Sequence, residues 1–220
     1  MDGKTIEMDA SIMDSSGRLA MVMAVRNVKN PVLLAQALLN TPHVAIAGEG
    51  AEKLAARFGL EPHPGPSGQA LKQYERIKNL ILNKRPEEIN PLWKGFGHLL
   101  TDTVGAVAMD RYRVFAVASS TGGASPMLIG RVGDTPIIGA GFYAGKEGAI
   151  AVTGIGEEII KRSVARAVYD RIEKGIDLES AVRDTIYSFP DDIPIGIIAI
   201  TKDSAMASSN RNMAWAQSFE

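Results

Sequence analysis

The sequence predicts an α/β chain of the α+β type, in which helices pack outside β-sheets. Its patterns form two clusters of strands, each followed by two helices. Several strands follow one another directly, which does not fit strict β-α-β alternation. The 220 residues are 45% hydrophobic and 22% charged, values typical of a globular chain with a sizeable core. We therefore expect a single domain over residues 1–220.

The first cluster of elements occupies the first 59 residues. Residues 5–13 alternate apolar and polar side chains, the period-2 pattern of a strand with one buried face. A turn over 15–17 joins it to a mostly apolar strand over 18–25. Asn30 and Pro31 open a helix to about Leu39, with Asn30 as its cap. A short strand over 43–47 and a helix ending near Gly59 complete the cluster.

The middle of the chain has the composition of a linker. Residues 61–68 contain three prolines and two glycines, a charged helix follows over about 69–84, and 85–102 is irregular. A weakly ordered segment of about 40 residues is too long for an ordinary connection in a compact domain. We therefore expect residues 61–102 to form a flexible linker with a role in function or processing.

The second cluster begins with strands over 103–109 and 114–119, which are rich in valine and small residues. Glycine-dense loops then surround a short strand, and a strand over 149–152 follows. One long helix is expected from the helical spacing of apolar residues between Ile159 and Ile172, with Gly175 as its stop. Asp177 caps a further helix to about Ser188, and strands over 195–201 and 205–208 end the pattern.

Charge and cysteine content exclude several classes of function. With 24 basic and 25 acidic residues, no broad field favours nucleic acid or an anionic membrane. The absence of cysteine excludes a disulfide scaffold, a thiolate metal site and a cysteine nucleophile. The three histidines lie far apart in sequence, which argues against a zinc site. No apolar run is long enough for a membrane-spanning helix and no signal-peptide pattern is visible, so we expect a cytoplasmic protein.

Two motifs suggest different chemistries. Residues 139–144 match G-x-G-x-x-A, but a strand rather than a helix is expected next, so dinucleotide binding is disfavoured. Thr103 lies where the linker meets a strand. A threonine hydroxyl needs a base, and an α-amino group freed by chain cleavage, with a pKa of about 7.7–8.0, could serve. Any strand can begin with threonine, so from this pattern alone a structural role for Thr103 is the simpler interpretation.

Further sequence blocks favour the interpretation of Thr103 as a nucleophile. They are Asp102-Thr103-Val104-Gly105, Ser119-Ser120-Thr121-Gly122-Gly123, the G-R-V-G-D-T-P run from Gly130, and Thr153-Gly154-Ile155-Gly156-Glu157, with matching blocks at 7–10, 25–31 and 41–51. In order and spacing they resemble the plant-type L-asparaginases, or isoaspartyl peptidases, of the N-terminal nucleophile hydrolases. The resemblance covers nearly all of the chain except about 62–100. It implies a four-layer αββα sandwich.

The resemblance also implies a nucleophile and its helpers. The chain would cut its own Asp102–Thr103 bond, giving an α piece (1–102) and a β piece (103–220). Thr103 would then attack the side-chain amide carbon of the substrate, with its new amine as the base. Thr121 would orient the nucleophile, and Thr153 and Gly154 would donate to the tetrahedral oxyanion.

The remaining implied roles concern substrate binding. Arg131 would hold the substrate α-carboxylate with its planar fork, Asp134 would hold the α-ammonium, and Gly156 would line the α-amino side. Purely structural interpretations also exist. Arg131 could pair with Asp134 on the surface, Thr153-Gly154 could be a plain helix N-terminus capped by the threonine, and Thr121-Gly122-Gly123 could be only a tight turn. The implied function is hydrolysis of L-asparagine, β-aspartyl dipeptides or both, by a homodimer of α/β pairs.

One part of the family pattern has no match in this chain. Family members usually begin with a strand ending in H-G-G-A-G and a sodium-holding loop. The resemblance therefore implies no cofactor, no metal and a sandwich that lacks an N-terminal strand. A mis-assigned start, a shortened form and a degraded relative stay open as explanations. The alternative function is accordingly an N-terminally truncated, unprocessed and non-catalytic homologue.

Overall fold

Two facing β-sheets organise the chain in the computed structural model, which describes residues 5–81, 101–124 and 127–218. The strands are β1 (Met8–Asp14), β2 (Leu19–Val25), β3 (Ala45–Ala47), β4 (Thr101–Met109), β5 (Phe115–Ala124), β6 (Phe142–Gly145), β7 (Gly148–Gly154), β8 (Ile195–Ile200) and β9 (Ala205–Ser209). The helices are α1 (Pro31–Leu38), α2 (Gly48–Arg57), α3 (Gly68–Ile81), α4 (Gly156–Arg162), α5 (Val164–Glu173) and α6 (Leu178–Tyr187).

The sheets and helices form four layers. The first sheet has the strand order β3-β2-β1-β5-β4, and the second has β6-β7-β8-β9. Helices α1 and α2 pack on the first sheet, α5 and α6 pack on the second, and β4 and β5 contact β7 across the middle. Apolar side chains such as Leu34, Phe115 and Ile159 fill the three interfaces between layers. The expected αββα sandwich is confirmed.

The polar face of β1 is buried, so the expectation of a strand with only one buried face is wrong. Asp9 and Ser11 in β1 are only 2% and 0% exposed, and Glu7, directly before the strand, is 4% exposed. The cause is the second sheet, because this face of β1 points into the layer between the sheets. There the Ser11 hydroxyl donates to the carbonyl of Thr135 at 2.7 Å. A polar layer inside the sandwich therefore lies beside the loop around 130–135.

The long helix expected between Ile159 and Ile172 is two helices. Ser163, at φ +46°, takes the left-handed conformation and separates α4 from α5. The N–H groups of Ala165 and Arg166 donate to the carbonyls of Ala140 and Gly139, which supplies partners for the start of the second helix. Strand β6 was not predicted, and it begins at Phe142, inside the 139–144 motif, where a dinucleotide-binding motif would open a helix.

Other boundaries differ by a few residues. Asn30 is the N-cap residue of α1 but makes no side-chain cap hydrogen bond, whereas Asp177 caps α6 by accepting from the N–H of Ser180. Strand β4 begins at Thr101, before the expected start at Thr103. Its pairing with β5 is irregular between these two threonines, at the Asp102–Thr103 bond. The part of the expected linker over 82–100 lies outside the described residues.

Candidate active site

A pocket opens where β4 and β5 meet the 130–135 loop and the end of β7. It is lined by Thr103, Thr121, Gly123, Ala124, Arg131, Gly133, Asp134, Thr135 and Gly154. These residues come from both sheets and from the connecting loop, so the four-layer arrangement assembles the pocket. Thr103, Thr121, Arg131, Asp134 and Gly154 were all candidate site residues on sequence grounds, and the fold brings them together.

Thr103 and Thr121 face each other across the β4–β5 pair, where they are register partners. The Thr103 hydroxyl donates to the Thr121 hydroxyl at 3.3 Å, and the N–H of Gly123 donates to the same oxygen at 3.1 Å. Thr103 is half-buried and Thr121 is buried. The Thr103 hydroxyl is thus accessible from the pocket while a fixed neighbour sets its direction.

Arg131 pairs with Glu157 rather than with Asp134. The Arg131 Nε and Nη2 atoms donate to the two oxygens of the Glu157 carboxylate at 3.0 and 3.1 Å. The alternative of a surface pair between Arg131 and Asp134 is therefore wrong. Glu157 lies in the first turn of α4, directly after Gly156, where the absence of a Cβ leaves room for the Arg131 guanidinium.

The Asp134 carboxyl is buried and only partly satisfied. Its Oδ2 atom has no hydrogen-bond partner among the residues that the structure describes. Burial raises the pKa of Asp134 to about 7, and the negative charges of Glu157 and Asp9 act in the same direction, against the opposing effect of Arg131. A buried carboxyl oxygen that lacks a donor suits a cationic ligand such as an ammonium group.

Two glycines allow the backbone and side chains of the pocket to approach closely. A Cβ at Gly156 would lie 2.8 Å from Arg131 Nη2 and 2.9 Å from Asp134 Oδ1. Gly154 has φ +146°, and a Cβ there would collide with the carbonyl of Pro194. Both positions therefore require glycine for the side chains and strand β8 to pack as they do.

Thr153 lies at the end of β7, next to Gly154. Ile155, not Thr153, is the N-cap residue of α4, so the alternative of a helix-capping threonine is wrong. Of the two candidate oxyanion donors, Gly154 belongs to the pocket lining, while Thr153 is not among the lining residues in the described part of the chain. The side chain of Asp102 lies outside what is described.

Glu157, Glu7 and Asp9 are site neighbours to which sequence reasoning assigned no role. All three belong to blocks that carried the resemblance, and that membership was the available signal. The N–H of Gly130 donates to Glu7, and the N–H of Gly133 donates to Asp9. Burial raises the pKa of Asp9, although hydrogen bonds from Ala24 and Gly133 oppose this effect.

Within residues 5–81, 101–124 and 127–218, no three His, Asp or Glu side chains come together as a metal site would need. The absence of a metal and of other cofactors stays a prediction. No helix in the described part of the chain is long and apolar enough to cross a bilayer.

A sandwich of this kind, with a threonine at the pocket between its sheets, places the chain among the N-terminal nucleophile hydrolases. Similarity to known proteins narrows the class: a family model described as asparaginase matches residues 1–219, and the chain belongs to that family of hydrolases.

Named relatives agree with this membership. The plant-type L-asparaginase of Thermococcus kodakarensis is 36% identical, over 98% of this chain and 74% of the relative. That of Pyrococcus furiosus is 35% identical over the same shares. The isoaspartyl peptidase/L-asparaginase of Bos taurus is 36% identical, over 96% of this chain and 69% of the relative.

Proposed function

We propose that this chain is a self-processing amidohydrolase that converts L-asparagine to L-aspartate and ammonia and also hydrolyses β-aspartyl (isoaspartyl) dipeptides. The observation that carries the proposal is the 3.3 Å contact between the Thr103 and Thr121 hydroxyls, in a pocket that also contains Arg131 and Asp134. The names of the archaeal and mammalian relatives support the two substrate classes.

The first step is cleavage of the chain itself. The Thr103 hydroxyl attacks the carbonyl carbon of Asp102, the peptide C–N bond breaks, and water hydrolyses the resulting ester. The products are a carboxylate on Asp102 and a free α-amine on Thr103. The irregular β4–β5 pairing at this bond supports the step, because a peptide outside the regular ladder can be distorted more easily.

The second step uses the new amine as a base. It takes the proton of the Thr103 hydroxyl, whose oxygen attacks the side-chain amide carbon of the substrate. Donors at Gly154 and Thr153 stabilise the tetrahedral O⁻. The amine then gives its proton to the leaving ammonia or amine, and water hydrolyses the β-aspartyl ester on Thr103.

Substrate is held by its α-substituents. Glu157 occupies the Nε–Nη2 edge of Arg131, which leaves the Nη1–Nη2 edge for the substrate α-carboxylate. Asp134 offers to the α-ammonium its Oδ2, which has no hydrogen-bond partner among the described residues. Gly156 keeps both side chains on one wall of the pocket. This arrangement selects a zwitterionic α-amino acid whose side-chain carbonyl reaches Thr103.

The active form in this proposal is a homodimer of α/β pairs, located in the cytoplasm. The zero cysteine count supports a reducing compartment. Light scattering of the purified enzyme tests the assembly, with twice the 23.5 kDa chain mass expected. A single α/β pair in solution would contradict the dimer without affecting the chemistry.

Mass spectrometry tests the proposed chemistry directly. We expect two pieces, 1–102 and 103–220, together with ammonia release from L-asparagine and aspartate release from a β-aspartyl dipeptide. Thr103→Ala should abolish both cleavage and turnover. Thr41→Ala, in the loop between α1 and β3, removes a threonine hydroxyl remote from the pocket and should leave both unchanged. An uncut wild-type chain without ammonia release would instead favour the non-catalytic homologue.

A further inference from the structure

We propose that Glu7 and Asp9 are positioning residues that hold the loop carrying Arg131 from both sides. The inference rests on the proposed function, since it assigns to these carboxylates the alignment of the group that binds the substrate α-carboxylate. Neither residue lines the pocket among the residues that the structure describes. Their effect on the reaction would therefore pass through Arg131.

Glu7 anchors one side of this loop. Its Oε2 atom accepts the N–H of Gly130, the residue before Arg131. Its Oε1 atom accepts Nε and Nη2 of Arg26 at 3.0 and 2.6 Å. Because Glu7 is buried and bonded through both oxygens, its carboxylate has little freedom to move. The backbone at Gly130 is held accordingly.

Asp9 anchors the other side. Its Oδ2 atom accepts the N–H of Gly133 at 3.3 Å, and its Oδ1 atom accepts the N–H of Ala24 at 2.8 Å. Ala24 has φ +46°, an uncommon conformation for a residue with a side chain, and it lies in β2 where the pairing with β1 is irregular. Asp9 thus connects an irregularity in the first sheet to the substrate-binding loop.

Together the two contacts fix Arg131 between them. Gly130 and Gly133 lie on either side of Arg131 in the chain. Gly130 donates its N–H to Glu7, just before β1, and Gly133 donates its N–H to Asp9, near the start of that strand. The Arg131 guanidinium also lies over Gly133, where a Cβ would be 2.8 Å from Nη1. A shift of the loop would therefore move the guanidinium, and a displacement of about 1 Å is enough to weaken binding or catalysis strongly.

The carboxylate is required because each oxygen accepts a different N–H. Asparagine at position 9 has one acceptor oxygen and one donor NH₂ group. One of the N–H groups from Ala24 and Gly133 would then face a donor and lose its partner. Asp9→Asn should therefore release the loop with almost no change in side-chain volume. Glu7→Gln makes the matching change at Gly130 and Arg26.

Steady-state kinetics with L-asparagine test the proposal. We expect Asp9→Asn and Glu7→Gln to raise KM at least about tenfold, with kcat within about threefold and cleavage at Asp102–Thr103 complete. Affinity for L-aspartate, measured by calorimetry, should fall by the same factor. Asp14→Asn is the matched control: Asp14 is a buried β1 carboxylate that accepts backbone N–H groups, but only from the hairpin turn at Ser16 and Arg18. Its KM should not change.

A double-mutant comparison shows whether Arg131 transmits the effect. In an Arg131→Lys background, Asp9→Asn should add less than about twofold to KM, because the aligned fork is already lost. Two results would overturn the assignment: a tenfold rise in KM when Asp9→Asn is added to Arg131→Lys, or an unchanged KM when Asp9→Asn is made alone. If Asp9→Asn does not fold, Glu7→Gln carries the same comparison. If the wild-type protein shows no turnover, the proposed function is wrong. The L-aspartate affinities of the variants would still test the positioning role of Glu7 and Asp9.

Discussion

Glu157 binds Arg131 through both of its carboxylate oxygens, which accept Nε and Nη2 at 3.0 and 3.1 Å. The side chain of Glu157 is 58% exposed and that of Arg131 is 20% exposed, so the pair lies at the edge of the pocket. A planar guanidinium held along one edge has a fixed orientation. Glu157 therefore leaves the adjacent Nη1–Nη2 edge of Arg131 to a ligand.

Removing this partner should weaken substrate binding. We expect Glu157→Ala to raise KM for L-asparagine about three- to tenfold with little change in kcat, because Arg131 must lose side-chain entropy when the substrate binds. Steady-state kinetics check this, and Glu52→Ala, which removes a carboxylate from α2, is the control. A lower KM in Glu157→Ala would mean that Glu157 competes with the substrate carboxylate.

The raised pKa of Asp134 predicts an acid limb in the kinetics. Below about pH 7 Asp134 takes up a proton and loses the charge that attracts the substrate ammonium. The kcat/KM for L-asparagine should therefore fall as the pH decreases through about 7. Glu157→Gln removes a charge that raises this pKa, so the limb should move to lower pH. A pH–rate profile of both proteins measures the shift, and identical limbs would contradict it.

The same residue predicts a pH dependence of folding. The pKa of Asp134 is higher in the folded state than its ordinary value of 3.8, so the folded protein binds the proton more tightly. The stability contribution is fully present below about pH 4 and is lost as the pH rises through about 7. Between pH 5 and 8 the Tm should fall by roughly 5 °C or more from this source. Asp134→Asn should remove that part of the slope, as measured by thermal melts.

The Thr121 hydroxyl should matter for both reactions of Thr103. Thr121→Val keeps the shape of the side chain but leaves the Thr103 hydroxyl and the Gly123 N–H without their shared partner. We expect self-cleavage and turnover each to slow about 10- to 100-fold. Thr121→Ser, which retains the hydroxyl, should recover most of both rates. Equal losses in the two variants would point to packing rather than to the hydrogen bond.

A methyl group at position 156 should separate Arg131 from Asp134. Gly156→Ala puts a Cβ within 3 Å of both side chains, so at least one of them must move. KM for L-asparagine should rise at least about tenfold. Gly50→Ala, in the first turn of α2 with room for the methyl group, is the control and should leave KM unchanged without destabilising the helix. An unaffected KM in Gly156→Ala would show that the pocket wall can adapt.

The local sequence pattern predicted helices and strands correctly where neighbouring residues alone determine the structure. The existence of strand β1 and the Asp177 cap of α6 are examples, since each depends on neighbouring residues alone. The helix break at Ser163 could not be predicted this way. It depends on the carbonyls of Gly139 and Ala140, which are distant in sequence and supply partners to the second helix.

The candidate site was predictable as a set of residues but not as a set of contacts. Sequence blocks singled out Thr103, Arg131 and Asp134, and the fold brings them to one pocket. The partner of Arg131 depends on how α4 begins, and the burial of Asp9 depends on the second sheet. Neither relationship leaves a periodic signal in the sequence, so both required the three-dimensional arrangement.

The strand order of the first sheet has a consequence for assembly. Strands β1 to β3 precede Thr103, β4 contains it and β5 follows it. Strand β1 nevertheless pairs along its length with β5. Cleavage before Thr103 would therefore leave two interlocked fragments that share one sheet. Refolding of the cleaved protein would become a second-order reaction between fragments. The midpoint of its unfolding transition would then depend on protein concentration, whereas that of the intact precursor would not.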